Sequence, residues 1–135
     1  MDAKFINRYN SYCSSLSSLE KALTRDPADE FVLSGTVQKF SLTFDISWKV
    51  MKDILVKYHK IQSFAAGSPR ETLRTAYSVQ LISDDAWMNM LNMRNELSYD
   101  YDGSMARDCF DTIIHDYIPL FQQFRVKAGE FLEQI

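Results

Sequence analysis

The side chains of this sequence that could do chemistry gather around one arginine. Arg94 occupies a position where the helical spacing that starts at Trp87 calls for an apolar residue, and Ser98 and Tyr101 follow it at i+4 and i+7. These spacings place the three side chains on one helix face. A guanidinium on a core-facing stripe must be paired with a carboxylate or must line a cleft. With Asn95 adjacent, a ligand-binding cleft formed by Arg94, Ser98, Tyr101 and Trp87 is as well supported as a structural ion pair.

Common catalytic motifs are absent from the sequence. It contains no G-x-x-x-x-G-K-[ST] or G-x-G-x-x-G phosphate loop and no G-x-S-x-G nucleophile elbow. Cys13 and Cys109 form no C-x-x-C pair, and two histidines are too few for a Cys/His metal cluster. We therefore expect neither a metal nor a cofactor. Asp100 and Asp102 lie in a turn that contains Gly103, and turn capping explains them better than a catalytic carboxylate pair.

Charge is distributed unevenly along the chain. The net charge of −3 excludes a generic nucleic-acid coat protein, which needs a basic footprint. Residues 49–74 nevertheless hold six basic and two acidic residues, whereas residues 84–116 hold two basic and eight acidic ones. The basic strip could meet a phosphate backbone or an acidic partner. The alternative is a solvated face, since Lys49, Asp53 and Lys57 can pair along their helix at i, i+4 spacing.

Length and turn content indicate the architecture that must position these residues. A chain of 135 residues fits a single domain over residues 1–135. Only four glycines and three prolines leave few turns, which favours long helices over many strands. We predict an all-α, up-and-down bundle of about five helices. Apolar spacing and capping signals place them at 5–25, 29–60, 71–80, 84–101 and 106–135, with Ser68 and Glu71 forming a capping box, Ser83 starting the fourth helix and Pro119 kinking the last one.

The second predicted helix is apolar around most of its circumference. Two stripes share it, Val37, Phe40, Phe44, Trp48, Met51, Leu55 and Tyr58 on one side and Leu42, Ile46, Val50 and Ile54 on the other. A helix of this kind is buried on two sides. The second stripe favours a partner chain, most simply a second copy. The alternative is a central helix inside one monomer.

Nothing in the sequence indicates a membrane or secreted protein. The first residues do not have the pattern of a signal peptide, and no apolar run approaches the ~18 residues of a transmembrane helix. We expect a cytoplasmic protein with no membrane contact.

Several short motifs together resemble those of the nucleotidyltransferase substrate-binding proteins, compact members of the HEPN superfamily. That family carries an Arg-Asn-x-x-Ser-His-x-Tyr-Asp motif, and this chain has Arg94-Asn95-Glu96-Leu97-Ser98-Tyr99-Asp100-Tyr101-Asp102. The earlier parts of the pattern are Gly35-Thr36-Val37-Gln38-Lys39-Phe40, Phe44, Trp48-Lys49, Ser68-Pro69-Arg70, Ala76, Leu81-Ile82, Trp87 and Met90-Leu91.

The resemblance implies a HEPN-like bundle that forms a homodimer and binds a minimal nucleotidyltransferase encoded beside it. In the toxin–antitoxin members the HEPN subunit is a metal-independent ribonuclease. There the motif Arg and His act across the dimer cleft, and the nucleotidyltransferase silences the toxin by adding AMP to the tyrosine two places after the His. Carried over, the catalytic positions are Arg94, Asn95 and Tyr99, and the modified tyrosine is Tyr101.

The chain departs from the family pattern at Tyr99, which replaces the motif His. A tyrosine with a pKa near ~10 is a poor proton shuttle at neutral pH. We therefore predict a subunit that binds its nucleotidyltransferase, and a nucleotide or RNA at the dimer cleft, with ribonuclease activity weak or lost. Two alternatives remain. One is an active ribonuclease toxin silenced by AMP addition to Tyr101, and the other is a bundle without a ligand in which Arg94 is purely structural.

Overall fold

The computed structural model describes residues 3–61 and 68–134, and every regular element within these ranges is helical. This confirms the predicted all-α class. The predicted last helix is divided in two, and its predicted end at Ile135 lies outside the described residues. The main helices are α1 (Ala3–Glu20), α2 (Glu30–Lys57), α3 (Pro69–Ser78), α4 (Ala86–Leu97), α5 (Ala106–Thr112) and α6 (Ile118–Gly129), with short 3-10 segments at Lys21–Thr24 and Glu130–Gln134.

Helix α2 is the centre of the molecule and packs against each of α1, α3, α4, α5 and α6. Val50 and Ile54, from the second apolar stripe, are fully buried within the single chain. Much of the apolar circumference of α2 is thus covered without a partner, as in the central-helix alternative. From that stripe, Leu42 is exposed and Ile46 is half-buried.

Side-chain caps fix where the helices begin. Asp29 accepts a hydrogen bond from the Phe31 N–H at 2.8 Å and so caps α2. Ser68 accepts one from the Glu71 N–H at 3.3 Å, and Pro69 occupies the first turn of α3, as predicted. The Glu71 carboxylate accepts a hydrogen bond from Arg74 at 2.7 Å, so its role differs from the predicted capping box.

A π-helical turn, Ile113–Tyr117, joins α5 to α6. The Ile118 N–H donates to the Ile113 carbonyl, five residues back. Pro119 follows in the first turn of α6, where its missing N–H costs least. The sequence predicts the irregularity at the right place, and it takes the form of a wider turn.

An aromatic cluster fixes α4 against the rest of the bundle. The Trp87 ring lies 6.5 Å from that of Phe44 on α2, and 5.6 Å and 5.8 Å from those of Phe121 and Phe124 on α6. Because α4 is anchored near its start, its later residues project from a fixed base, and these include the motif arginine.

Candidate functional site

Arg94 lies in the last turn of α4 and is paired within the chain. Its Nη2 atom is 2.7 Å from Oδ1 of Asp45 on α2, and its Nη1 donates to Oδ1 of Asn95 at 3.0 Å. The side chains of Arg94 and Asp45 are 31% and 32% exposed. The pair therefore joins the motif to the central helix while keeping part of the guanidinium open to solvent.

Sequence reasoning missed Asp45 as the partner of Arg94. Asp45 has no predicted role, because the predictions for α2 follow only its apolar stripes. The available signal was a carboxylate placed between Phe44 and Ile46 on a largely apolar stretch of this helix. Only the packing of α4 on α2 shows that this carboxylate meets the arginine.

Two buried polar atoms near this pair lack a hydrogen bond within the described residues. The first is Asp45 Oδ1, because its contact with Arg94 is an ion pair without hydrogen-bond geometry. The second is Trp48 Nε1, which lies one turn further along α2. Buried polar groups are normally hydrogen-bonded. Asp45 Oδ1 keeps its ion pair with Arg94, so Trp48 Nε1 is the atom of the two that has no polar partner among the described residues.

The chain turns away from the helix directly after the motif arginine. Helix α4 ends at Leu97, and the Ser98 hydroxyl donates to the Asn95 carbonyl at 2.6 Å. Tyr99 and Tyr101 lie beyond this end and are 75% and 91% exposed. Large aromatic side chains at this exposure have almost no packing within the chain.

A hydrogen-bonded turn holds Tyr101 in place between α4 and α5. Asp100 accepts hydrogen bonds from the Met105 N–H at 3.0 Å and from the Ser104 hydroxyl at 3.2 Å. Asp102 accepts from the Ser104 N–H at 3.1 Å, and such bonds lower the pKa of the Asp102 carboxyl. Gly103, at φ +71°, supplies the left-handed conformation of the turn. The predicted capping role of the two aspartates is confirmed.

Trp87 is separate from the other proposed cleft residues. Its side chain is 3% exposed and lies within the aromatic cluster, two helical turns before Arg94. In the single chain Trp87 is a core residue, because the α2 and α6 rings cover it. The structure brings together Arg94, Asn95 and Ser98, with Tyr99 and Tyr101 exposed on the adjoining turn.

In residues 3–61 and 68–134, no three His, Cys, Asp or Glu side chains are grouped as a metal site would require. In the same part of the chain, none of the helices combines the length and the apolar character needed to cross a bilayer.

Comparison with known proteins gives a family and a fold. The family model described as nucleotidyltransferase substrate binding protein like matches residues 7–129. A crystal structure of a protein from Thermus thermophilus superposes with a TM-score of 0.75 and 23% identity, over 87% of this chain and 98% of that chain. This likeness shows the same helical fold. The search of curated proteins finds no match.

Proposed function

Because the chain belongs to the family of nucleotidyltransferase substrate-binding-like proteins, we propose that it is the helical subunit of a two-component, toxin–antitoxin-like system in the cytoplasm. In this proposal it forms a homodimer and binds its cognate minimal nucleotidyltransferase. The observation that carries the proposal is the exposed pair Tyr99 and Tyr101 beside the motif arginine. No packing within the described chain explains these rings, and a partner surface would.

A dimer cleft formed around Arg94 suits a nucleotide or a short RNA. Part of the Arg94 guanidinium is open, and Asn95 and Ser98 lie next to it on α4. A guanidinium is well suited to phosphate groups because its donors form a planar fork.

In this proposal ribonuclease activity is weak or lost. Tyr99 replaces the motif His, and the Arg94 charge is partly neutralised by Asp45. Loss of general acid–base help typically lowers a rate by ~10²–10⁴.

One experiment tests binding and catalysis together. The purified protein is titrated with its cognate minimal nucleotidyltransferase by calorimetry, and its molar mass is measured by light scattering. In parallel, RNA cleavage without metal is measured for the wild type, Tyr99→His and Arg94→Ala. We expect a dimer that binds the nucleotidyltransferase, with cleavage appearing only in Tyr99→His. A monomer that does not bind the nucleotidyltransferase would refute the proposal.

The exposure of Tyr101 favours a second candidate function, in which the protein is the acceptor of AMP. The Tyr101 oxygen would attack the α-phosphorus of ATP, forming a phosphodiester bond as pyrophosphate leaves and the phenol proton passes to solvent. Intact-mass measurement after incubation with the nucleotidyltransferase, ATP and magnesium should show one added AMP. Tyr101→Phe should abolish the addition and Tyr99→Phe should not. This result with an active wild-type ribonuclease would indicate a toxin silenced by modification.

A further inference from the structure

The outer surface where α1 packs on α2 combines positive charge with exposed apolar side chains. Two open cavities lie along it, of about 300 Å³ and about 710 Å³. Lys21, Arg25 and Lys39 line the first cavity, and Lys4, Arg8 and Lys49 line the second. Among the described residues, no acidic one lines either cavity.

The two cavities are the two ends of one groove, which we call the α1/α2 groove. The helices run antiparallel, because Ser15 bonds to Thr43 at 2.7 Å while Arg8, earlier on α1, pairs with Asp53, later on α2. Ser11 and Ser18 are seven residues apart on α1, and Lys39 and Ile46 are seven apart on α2. Such spacing keeps residues on one helix face, so the lining of both cavities follows one line.

Most of the charge in this groove is not neutralised within the described chain. Arg8 pairs with Asp53 at 2.7 Å, whereas Lys4, Lys21, Arg25, Lys39 and Lys49 form no salt bridge with a described residue. Like charges that share a surface repel one another, which favours a negative partner. A protein with an overall net charge of −3 therefore carries a positively charged groove on one side.

The centre of the groove is apolar. Leu42, 46% exposed, and the half-buried Ile46 lie between Lys39 and Lys49 at spacings of three, four and three residues. At the far end of the groove Phe31 is 87% exposed. Ten residues separate the two lysines, or about 15 Å of helix, which matches about three turns of a second helix. Apolar anchors between charged ends are the pattern of a helix-in-groove contact.

We propose that the α1/α2 groove is the docking surface for an acidic amphipathic helix of the partner nucleotidyltransferase. The inference rests on the proposed function and adds the surface and the chemistry of the partner segment. The helix would place apolar side chains on Leu42 and Ile46, and Asp or Glu side chains near Lys39 and Lys49.

Two other occupants fit this surface less well. A second copy of the chain would bring the same patch to itself in a two-fold contact, so that lysine would face lysine. A single-stranded nucleic acid needs aromatic rings along its path, and the groove offers Phe31 at one end with aliphatic Leu42 and Ile46 at the centre. An acidic, partly apolar helix would contact both the basic ends of the groove and its apolar centre at Leu42 and Ile46.

Charge reversal tests the docking surface. The double variant Lys39→Glu/Lys49→Glu is compared with Arg107→Glu/Lys127→Glu, which changes the charge equally on α5 and α6. Calorimetric titration with the cognate nucleotidyltransferase should show Kd raised about tenfold or more for the groove variant and nearly unchanged for the control. Leu42→Asp should weaken binding similarly. Circular dichroism confirms that each variant is folded, and wild-type binding should weaken as salt rises.

The outcomes separate the inference from the proposed function. If the wild type binds the nucleotidyltransferase and the groove variant binds it equally well, the docking surface is wrong and the proposed function stands. If the wild type does not bind, both fail. If the groove variant keeps nucleotidyltransferase binding but loses its dimer, or loses binding of a fluorescent oligoribonucleotide, the groove belongs to a second copy or to RNA, and the proposal is overturned.

Discussion

At the scale of single residues, the Arg94 side chain is paired with Asp45 and is also partly exposed to solvent. The sequence left a structural ion pair and a cleft as alternatives, and the geometry contains elements of each. Asp45 holds the guanidinium at 2.7 Å, yet about a third of each side chain remains exposed. The turn that follows Arg94 could be predicted from the residue types of Asp100, Asp102 and Gly103. The pairing with Asp45 could not, because it depends on how α4 crosses α2.

Removing the arginine should lower stability modestly. Arg94→Ala leaves Asp45 Oδ1 buried without its cation, and we expect a loss of about 1 kcal/mol in the free energy of unfolding, measured in urea. Asp45→Asn should cost a similar amount. The double variant should cost less than the sum of the two, because the pair is then removed as a unit. Additive losses would mean that the two side chains do not interact in solution.

The half-buried Tyr9 and the fully buried Tyr12 make stability sensitive to alkaline pH. The Tyr9 hydroxyl donates to the Arg125 carbonyl at 2.9 Å, and burial, followed by a hydrogen bond with Cys13, raises the pKa of Tyr9 from 10.0 to about 12. Burial also raises the pKa of Tyr12. Below pH 10 both the folded and the unfolded protein keep these protons. Between about pH 10 and 12 the unfolded chain loses them first, which favours unfolding.

The contribution of Tyr9 and Tyr12 to the free energy of unfolding should therefore be constant from neutral pH to about 10 and fall as pH rises toward 12. Chemical unfolding of the wild type and of Tyr9→Phe/Tyr12→Phe across this range measures the effect. The double variant is expected to be less stable at neutral pH, because it lacks two hydroxyl donors, but to show a shallower alkaline decline. Equal slopes in the two proteins would contradict the assignment.

At the scale of elements, the helices could be predicted mainly from local signals. Asp29 and Ser68 mark helix starts in the sequence, and both cap helices in the structure. The π-helical turn could not be predicted, because Pro119 indicates that the helix is irregular but not whether it is kinked or widened. The end of α4 at Leu97 was also ambiguous, since helical spacing continues in the sequence to Tyr101.

Loss of the α3 cap should be measurable. Ser68→Ala removes the acceptor for the Glu71 N–H and should cost about 1 kcal/mol. Ser78→Ala, at the exposed other end of α3, is the matched control, since within the described part of the chain its hydroxyl bonds only to the Thr75 carbonyl. We expect the control to change the unfolding free energy by less than half as much. Equal effects would show that Ser68 does not act as a cap.

At the scale of the whole molecule, the position of Trp87 is decided by tertiary packing. Its sequence position, on the face that carries Arg94, fits a cleft as well as a core. The rings of Phe44, Phe121 and Phe124 pack around Trp87 and make it a core residue. These rings come from helices far apart in sequence. Likewise, the extent to which α2 is covered within one chain emerges only when five helices surround it.

Truncation of this tryptophan should destabilise the entire fold. Trp87→Ala should cost about 3–5 kcal/mol in the free energy of unfolding, because it empties the centre of the aromatic cluster. Thermal and urea unfolding should both shift. Tyr99→Ala, which removes a ring that is mostly in solvent, should shift neither appreciably. A small change in the free energy of unfolding for Trp87→Ala would instead indicate that Trp87 lines the cleft.

The central place of α2 also sets the order in which the molecule comes apart. We expect the short helix α3 to open while the other helices stay in place, whereas α2 loses its cover only when the whole bundle opens. Amide hydrogens in the middle of α2, around Phe44 to Met51, should therefore exchange with deuterium only through global unfolding. Those of α3, a ten-residue helix at the edge, should exchange through local opening that leaves the rest of the protein folded.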